Sequence, residues 1–186
     1  EMIMVGLVCV VFCFLYTTLF SYLGLGDVLV LIFFGIIPVC VTQYLCAAPT
    51  AGVGLQGINI EGLLIALACG IVIDTLLIVN NYRDIDNDRR AGKKTLIVRI
   101  GPVWGRLLYF FLGFLAGGLV VYGASRMTQS WNLWQQVLII IFYLFHYNTF
   151  LAMRRINKGA ALNRVLGMTA RNMLIFGISV ALCLLV

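Results

Sequence analysis

Charge is what this chain has least of. Only 11% of its 186 residues are Asp, Glu, Lys or Arg, against 62% hydrophobic, and the mean hydropathy is +1.04. A soluble domain carries about 25% charged residues, so this composition cannot cover a water-facing surface. The alternating short segments of a membrane β-barrel are missing too, because the apolar runs are apolar on every face. Metal-binding cysteine chemistry is equally absent. The six cysteines (Cys9, Cys13, Cys40, Cys46, Cys69 and Cys183) sit inside apolar runs without C-x-x-C spacing. Cys9 and Cys13 share a helix face, yet no His lies near them, and small apolar filler is the role that fits all six. His146 is the lone histidine and has no carboxylate near it in sequence, which points to a packed, hydrogen-bonded ring. No internal repeat argues for the inverted halves of a transporter. No basic start, short apolar stretch and small-residue cleavage site marks a signal peptide. The chain enters an apolar run directly after Glu1, as the C-terminal part of a longer protein would.

What remains is an all-α polytopic membrane protein, with 1–186 read as one transmembrane domain. Apolar runs of about 20 residues match the hydrocarbon core as helices. Six spans are predicted, at about 2–20, 28–47, 60–81, 107–122, 133–151 and 174–186. The last could start near Leu166 if its polar residues face protein. The net charge of +6 would suggest nucleic acid in a soluble protein, but membrane proteins collect Lys and Arg in cytoplasmic loops, so no nucleic-acid partner is expected. The loops after the third and fifth spans hold twelve of the thirteen basic residues, and only Arg126 falls on the other side. This asymmetry predicts a cytoplasmic membrane location, charged loops in the cytoplasm, and Glu1 and the C-terminus outside. Trp131 and Trp134 suit an outer interfacial belt, and Gly70, Gly117 and Gly118 suit close helix packing.

The little charge there is gathers in one place. Residues 80–95, Asn-Asn-Tyr-Arg-Asp-Ile-Asp-Asn-Asp-Arg-Arg-Ala-Gly-Lys-Lys-Thr, hold three of the seven acidic and five of the thirteen basic residues. Such density beside a membrane is costly and marks a site. If the third helix continues through this stretch, Asn81, Asp84 and Asp88 share one face. Carboxylates a turn apart repel, and a bound cation relieves them. Oxygen ligands without Cys or His favour Mg²⁺, which bridges carboxylates to phosphate oxygens, and the turn glycine and closing Glu of an EF-hand are missing. Arg89, Arg90, Lys93, Lys94 and Arg99 follow at once, a cation supply suited to a diphosphate. Asp74 lies seven residues before Asn81 on the same face, and an ionised Asp inside a span must face the bundle interior. Asp27, after the glycine-rich turn Gly24-Leu25-Gly26, reads equally as a helix N-cap or as one more carboxylate of the site.

The pattern Asn80-Asn81-x-Arg83-Asp84-Ile85-x-x-Asp88-Arg89-x-x-Gly92-Lys93-x-Thr95-Leu96-x-Val98-Arg99-x-Gly101 resembles the second aspartate-rich motif of the UbiA superfamily of intramembrane prenyltransferases. It is most similar to the branch that prenylates 1,4-dihydroxy-2-naphthoate in menaquinone biosynthesis. Tyr16-Thr17 followed by Gly24-Leu25-Gly26-Asp27 resembles that family's element between its fourth and fifth helices, and Gly167-Met168-Thr169-Ala170-Arg171-Asn172 the start of its last helix. The resemblance implies a nine-helix bundle of which these are the last six helices, with a cavity open sideways to the lipid bilayer. It implies Mg²⁺ as cofactor, a polyprenyl diphosphate, and transfer of the prenyl group to dihydroxynaphthoate with loss of CO₂. A sister acceptor such as 4-hydroxybenzoate or homogentisate, or ion or lipid transport without catalysis, is the alternative. By position, Asn81, Asp84 and Asp88 would serve metal and diphosphate, with Arg83, Lys93, Lys94 and Arg99 toward the diphosphate. Tyr16 and Asp27 would lie near the prenyl C1 and the acceptor. The family's first aspartate motif has no counterpart among these 186 residues, so a chain ending at Glu1 is expected to be inactive alone.

Overall fold

In lipid every backbone N–H and C=O must be satisfied within the chain, and a helix does this segment by segment. The computed structural model describes residues 2–15, 20–51, 59–128 and 132–185, and among these it contains helices and no strand. In order they are α1 (Met2–Leu15), the short α2 (Ser21–Leu23), α3 (Gly26–Val30), a π-helical turn (Leu31–Ile36), α4 (Ile37–Ala51), α5 (Ile60–Arg83), α6 (Ile85–Arg90), α7 (Leu96–Thr128), α8 (Leu133–Ile156), a 3₁₀ turn (Ala160–Leu162) and α9 (Asn163–Leu184). Five stretches among the described residues are long and apolar enough to cross a membrane: Gly26–Cys46, Ile60–Arg83, Leu96–Met127, Leu133–Ile156 and Ala160–Leu184. The first expected span is helical over Met2–Leu15, and the four residues that follow lie outside the described residues.

Three expected boundaries are corrected, each because polar residues hide inside the bundle. The fourth span begins at Leu96 rather than near residue 107. It is interrupted at Gly101, whose φ of 81° suits glycine, and resumes at Pro102, where a helix start needs no N–H. Arg106 is therefore a helix residue: its Nη1 donates to the Tyr82 hydroxyl at 3.0 Å and to Asn157 Oδ1. The last span begins at Asn163 rather than residue 174. Thr169 and Asn172 are buried there, and they bond to Tyr109 and Thr149 rather than to water. The second span starts at Gly26, and Asp27 is not its cap: the cap position is Leu25, with no side-chain hydrogen bond, and Asp27 sits in the first turn.

α5 is the central helix, packed against α3, the π-helical turn, α4, α7 and α9. Lipid tails are as apolar as leucine, so close fit between backbones replaces the hydrophobic effect as the packing force. The π-helical turn provides one such fit. Ile37 N–H reaches back five residues to the Ile32 carbonyl just before Pro38, which has no N–H of its own to continue an α-helical ladder. A Cβ on Gly35 would stand 2.6 Å from Gly70 Cα and 2.7 Å from the Ala66 carbonyl, so neither chain could come this close with a larger residue. Gly70 and Gly117 serve close packing as the sequence predicts, Gly117 against the Tyr143 ring, whereas Gly118 faces open space. His146 is buried, with Nε2 3.1 Å from the Tyr109 carbonyl and 3.2 Å from that of Phe110, the hydrogen-bonded ring expected. At 24 residues α5 is about 36 Å long. One end carries Glu61, paired with Arg126 at 3.2 Å, and the other carries the 80–95 stretch.

Candidate functional site

The 80–95 stretch does not continue α5 without a break. α5 ends at Arg83, Asp84 leaves helical geometry (φ −96°, ψ 9°), and α6 resumes at Ile85. Asp84 N–H still bonds the Asn80 carbonyl at 3.1 Å, and Asp88 N–H bonds the Asp84 carbonyl at 2.8 Å, so the turn spacing survives the break. Asn81, Asp84 and Asp88 consequently line one polar pocket of about 270 Å³, together with Asn80, Leu77, Gly24, Gly26, Asp27, Lys93 and Thr95.

The opposite wall is a backbone latch. Gly92 (φ 73°) turns the chain after α6, Lys93 N–H bonds the Asp88 carbonyl at 2.9 Å, and Lys94 N–H bonds the Tyr22 carbonyl at 3.1 Å. Gly24 (φ 74°) lies so near the Lys94 carbonyl that any Cβ there would overlap it. Arg99 fastens the two segments, Nε donating to the Lys94 carbonyl at 3.0 Å and Nη2 to the Leu23 carbonyl at 2.7 Å. Thr95 begins α7, its hydroxyl accepting from Val98 N–H at 3.3 Å. The latch brings Asp27 and Lys93 to the same pocket as the α5 and α6 carboxylates, although they come from distant parts of the sequence.

Each pocket carboxylate on the 80–95 stretch has a cation beside it. Arg83 grips Asp84 with two donors, Nε to Oδ1 at 2.9 Å and Nη2 to Oδ2 at 2.5 Å. Those hydrogen bonds, aided by the charges of Arg83 and Lys93 and opposed by partial burial, hold the Asp84 carboxyl below the usual carboxylate range. Lys93 Nζ lies 3.5 Å from Asp88 Oδ1, and Asp88 is buried. Arg83 also donates to Asn80 Oδ1 and Asn163 Oδ1, both at 2.9 Å, tying the site to α9. Asp86 points away and pairs with Arg89 at 3.6 Å on an exposed face.

Of the nine residues singled out in the sequence, Asn81, Asp84, Asp88, Lys93 and Asp27 come together at the pocket. Arg83 braces Asp84 from the side, Lys94 is exposed, and Arg99 is occupied with backbone carbonyls. Tyr16 lies outside the described residues. Sequence reasoning missed Asn80 and Thr95 as pocket residues, although the Asn80-Asn81 doubling was visible.

It also assigned no residue to the lining of the neighbouring cavity. A half-open apolar space of about 840 Å³ lies between α1, α3, the π-helical turn, α5 and α9, and its lining includes Cys9, Phe12, Phe33, Phe34, Leu76 and Gly167. Leu77 and Asn80 line both spaces, so the apolar cavity and the polar pocket adjoin. These linings come from five helical segments, none with a sequence signal of its own.

Among the described residues no group of three or more His, Cys, Asp or Glu converges as a closed metal site. The pocket offers Asp84, Asp88 and the Asn81 amide, an all-oxygen set. It fits a cation that takes one or two carboxylates and completes its shell with water and phosphate, as Mg²⁺ does.

The prenyltransferase family model named UbiA matches residues 1–175. Among curated proteins, the 1,4-dihydroxy-2-naphthoate octaprenyltransferase of Escherichia coli (strain K12) is 38% identical over 116 residues, covering 62% of this chain and 34% of that protein. The protein of the same name from Mycobacterium tuberculosis (strain ATCC 25618 / H37Rv) is 39% identical over 121 residues, 63% of this chain and 39% of that one. The UbiA prenyltransferase domain-containing protein 1 of Homo sapiens is 33% identical over 96 residues, 52% and 26% of the two chains. The chain thus spans roughly a third of the length of the curated relatives it matches. No solved structure matches it.

Proposed function

The chain belongs to the UbiA prenyltransferase family, and from that premise we propose that it forms the diphosphate-binding and chain-binding part of an intramembrane prenyltransferase acting on 1,4-dihydroxy-2-naphthoate in menaquinone biosynthesis. One observation carries the reading: a charged pocket of about 270 Å³ adjoins an apolar cavity of about 840 Å³ across Leu77 and Asn80. A polyprenyl diphosphate has this same division, an anionic head on a hydrocarbon tail. Lys93 and Arg83 are the cations nearest such a head, and Asn81, Asp84 and Asp88 would hold Mg²⁺ against it. Bound there, Mg²⁺ would offset the charge that gathers on the departing diphosphate.

The chain's own residues have separable tasks. Lys93, now on Asp88, is placed to move to a diphosphate oxygen as a compact charge, whereas Arg83 is held by Asp84, Asn80 and Asn163 and keeps the Asp84 carboxylate in place. The Arg99 latch keeps the Tyr22–Gly24 turn on the 93–95 loop and so preserves the pocket wall. Phe12, Phe33 and Phe34 present an apolar lining that keeps water from the reactive end of the chain. In this reading the acidic end of α5 faces the cytoplasm of the inner membrane, the C-terminus faces outside, and the six helices are the last six of a nine-helix bundle.

The test is turnover. Full-length protein in detergent, given a polyprenyl diphosphate and Mg²⁺, is expected to convert dihydroxynaphthoate to prenylated naphthoquinol with release of CO₂ and diphosphate. Turnover of 4-hydroxybenzoate or homogentisate instead would move the assignment to a sister acceptor. No prenyl transfer to any of the three would overturn it.

A further inference from the structure

The cations of the α8–α9 hairpin, Arg154, Arg155, Lys158, Arg164 and Arg171, take no part in the polar pocket, and all are exposed. Among the described residues none is paired with a carboxylate: the ion pairs hold Arg83, Arg89, Lys93 and Arg126 instead. Arg83 donates to Asn163, the first residue of α9, so this end of the hairpin lies beside the acidic end of α5. Arg154, Arg155, Lys158 and Arg164 sit at that end, where cations commonly flank a membrane. Arg171 does not. It lies about 12 Å beyond Asn163 along α9, near the middle of the apolar stretch Ala160–Leu184.

Arg171 is held in place without being neutralised. Its guanidinium carbon lies over the Phe145 ring of α8, 4.6 Å from the centroid, the shortest cation–ring contact among the described residues. Its Nη2 donates to Asn172 Oδ1 at 3.4 Å. Asn172 is buried and fixed in turn, donating to the Thr149 hydroxyl at 2.9 Å and the Phe145 carbonyl at 3.4 Å. A guanidinium has five N–H donors and keeps its proton, and the others on Arg171 have no partner among the described residues. Hydrocarbon cannot supply one, so a charge at this depth calls for an anion. The arginines within α7 already have their partners: Arg99 has backbone carbonyls, Arg106 has Tyr82 and Asn157, and Arg126 has Glu61.

The face around Arg171 suits one kind of anion. Residues seven apart share a helix face, so Arg164, Arg171 and Ile178 form a line along α9. Arg164 lies about 10 Å toward the charged end, and Ile178 about 10 Å the other way. Leu174, beside that line, is 65% exposed and Ile178 52%. The line therefore passes from two cations to bare hydrocarbon. A phosphodiester between Arg164 and Arg171 would lay its acyl chains on Leu174 and Ile178, whereas a free phosphate ion would leave the apolar half unused. This face is distinct from the one α9 turns to the large cavity, which carries Leu166, Gly167 and Ala170.

We propose that Arg164 and Arg171 form a headgroup site for an anionic phospholipid on the α8-facing side of α9, with the phosphate between the two guanidinium groups and the acyl chains along Leu174 and Ile178. The bound phosphate neutralises Arg171 and steadies the start of α9, whose Asn163 holds Arg83 at the pocket.

The experiment uses full-length protein in an uncharged detergent, with phosphatidylglycerol, phosphatidylcholine or inorganic phosphate added. Bound lipid is read by native mass spectrometry, and stability by the melting temperature. The wild type is expected to bind phosphatidylglycerol about fivefold or more tighter than phosphatidylcholine, and to melt at a higher temperature with it. Arg171→Gln is expected to lose most of that preference, Arg164→Gln part of it, and Arg155→Gln none. Equal binding of both lipids by the wild type, or an undiminished preference in Arg171→Gln, would overturn the site. An equal loss in Arg155→Gln, the mark of diffuse surface charge, would do the same. So would inorganic phosphate raising the melting temperature as much as the lipid, or a dimer that Arg171→Gln dissolves, which would put a second copy on this face. If Arg171→Gln does not fold, Arg164→Gln decides: a reduced preference supports the site, and an unchanged one refutes it. Turnover enters none of these readouts, so a failure of the prenyl-transfer reading would leave them intact.

Discussion

α5 is buried on two sides that treat polarity in opposite ways. Toward α7, α8 and α9 the buried polar groups are partnered within the bundle. Tyr109 Oη and Thr169 Oγ1 are 3.2 Å apart, Asn172 donates to Thr149 at 2.9 Å, and Gln135 donates to the Cys183 carbonyl at 3.0 Å. Toward α3 and the pocket, Asp27 and Asp74 keep orphan oxygens, while Asp84 and Asp88 pair with Arg83 and Lys93. A membrane bundle gains stability from satisfied groups and gains nothing from orphans, each of which costs several kcal/mol in hydrocarbon unless a partner arrives. The difference teaches which polar residues belong to structure and which await a ligand or a proton. Substitutions on the two sides should therefore separate stability from turnover.

The largest effect is expected on the pocket side. Asp88→Asn or Asp84→Asn in the full-length enzyme should cut Mg²⁺-dependent kcat/KM by about 10²-fold or more, while the melting temperature in detergent stays near wild type. A large drop in melting temperature with retained turnover would erase the contrast. Next in size, Gly113→Ala on α7 should act in the reverse sense. Its new methyl would overlap the His146 ring, and overpacking of this kind costs about 1–3 kcal/mol, read as early thermal unfolding with the KM for prenyl diphosphate unchanged.

A finer division runs within the pocket side. A Cβ on Gly167 would meet nothing within 4 Å, although the residue lines the apolar cavity. Gly167→Phe should fit the fold yet fill the cavity, so kcat/KM for long prenyl chains should fall about tenfold relative to short ones. Competition between two chain lengths in one reaction measures the ratio directly. On the network side, Asn172→Leu removes two bonds to α8, to the Thr149 hydroxyl at 2.9 Å and the Phe145 carbonyl at 3.4 Å, and the loss should be about 0.6–1.7 kcal/mol for each with acceptor specificity intact.

The smallest effect is a matter of pH. Asp84 titrates below its ordinary value of 3.8 because Arg83 holds the charged form. Stability from that pair is fully present above 3.8 and is lost as pH falls through the lowered value. The two side chains are 26% and 30% exposed, so screening keeps the contribution small. Arg83→Gln should slightly lower the melting temperature above pH 3.8 and make its decline on further acidification shallower, because the native carboxyl then no longer favours the charged form over the unfolded chain.

How much of this was legible in the sequence follows from range. The membrane class and the 80–95 charge cluster are local properties, and the structure gathers Asn81, Asp84 and Asp88 as their spacing suggested. Local patterns misplace a boundary where a polar residue finds a partner on another helix. Thr169 and Asn172 look like loop residues until Tyr109 and Thr149 are seen beside them. Arg99 looks like a phosphate ligand until the Leu23 carbonyl, 76 residues away, is seen in its grip. The break at Asp84 leaves no mark in residue type, because the Arg83 bridge that accompanies it is a property of folded geometry.

The central claim is that the acidic end of α5 and the adjoining apolar cavity together hold a polyprenyl diphosphate through Mg²⁺. The direct measurement is equilibrium binding of a non-reactive polyprenyl thiolodiphosphate to the full-length protein, with Mg²⁺ or with chelator, for the wild type and for Asp88→Asn. The account predicts tight binding by the wild type with Mg²⁺ and a fall of about tenfold or more on adding chelator or introducing Asp88→Asn. Equal affinity in all of these conditions would contradict it.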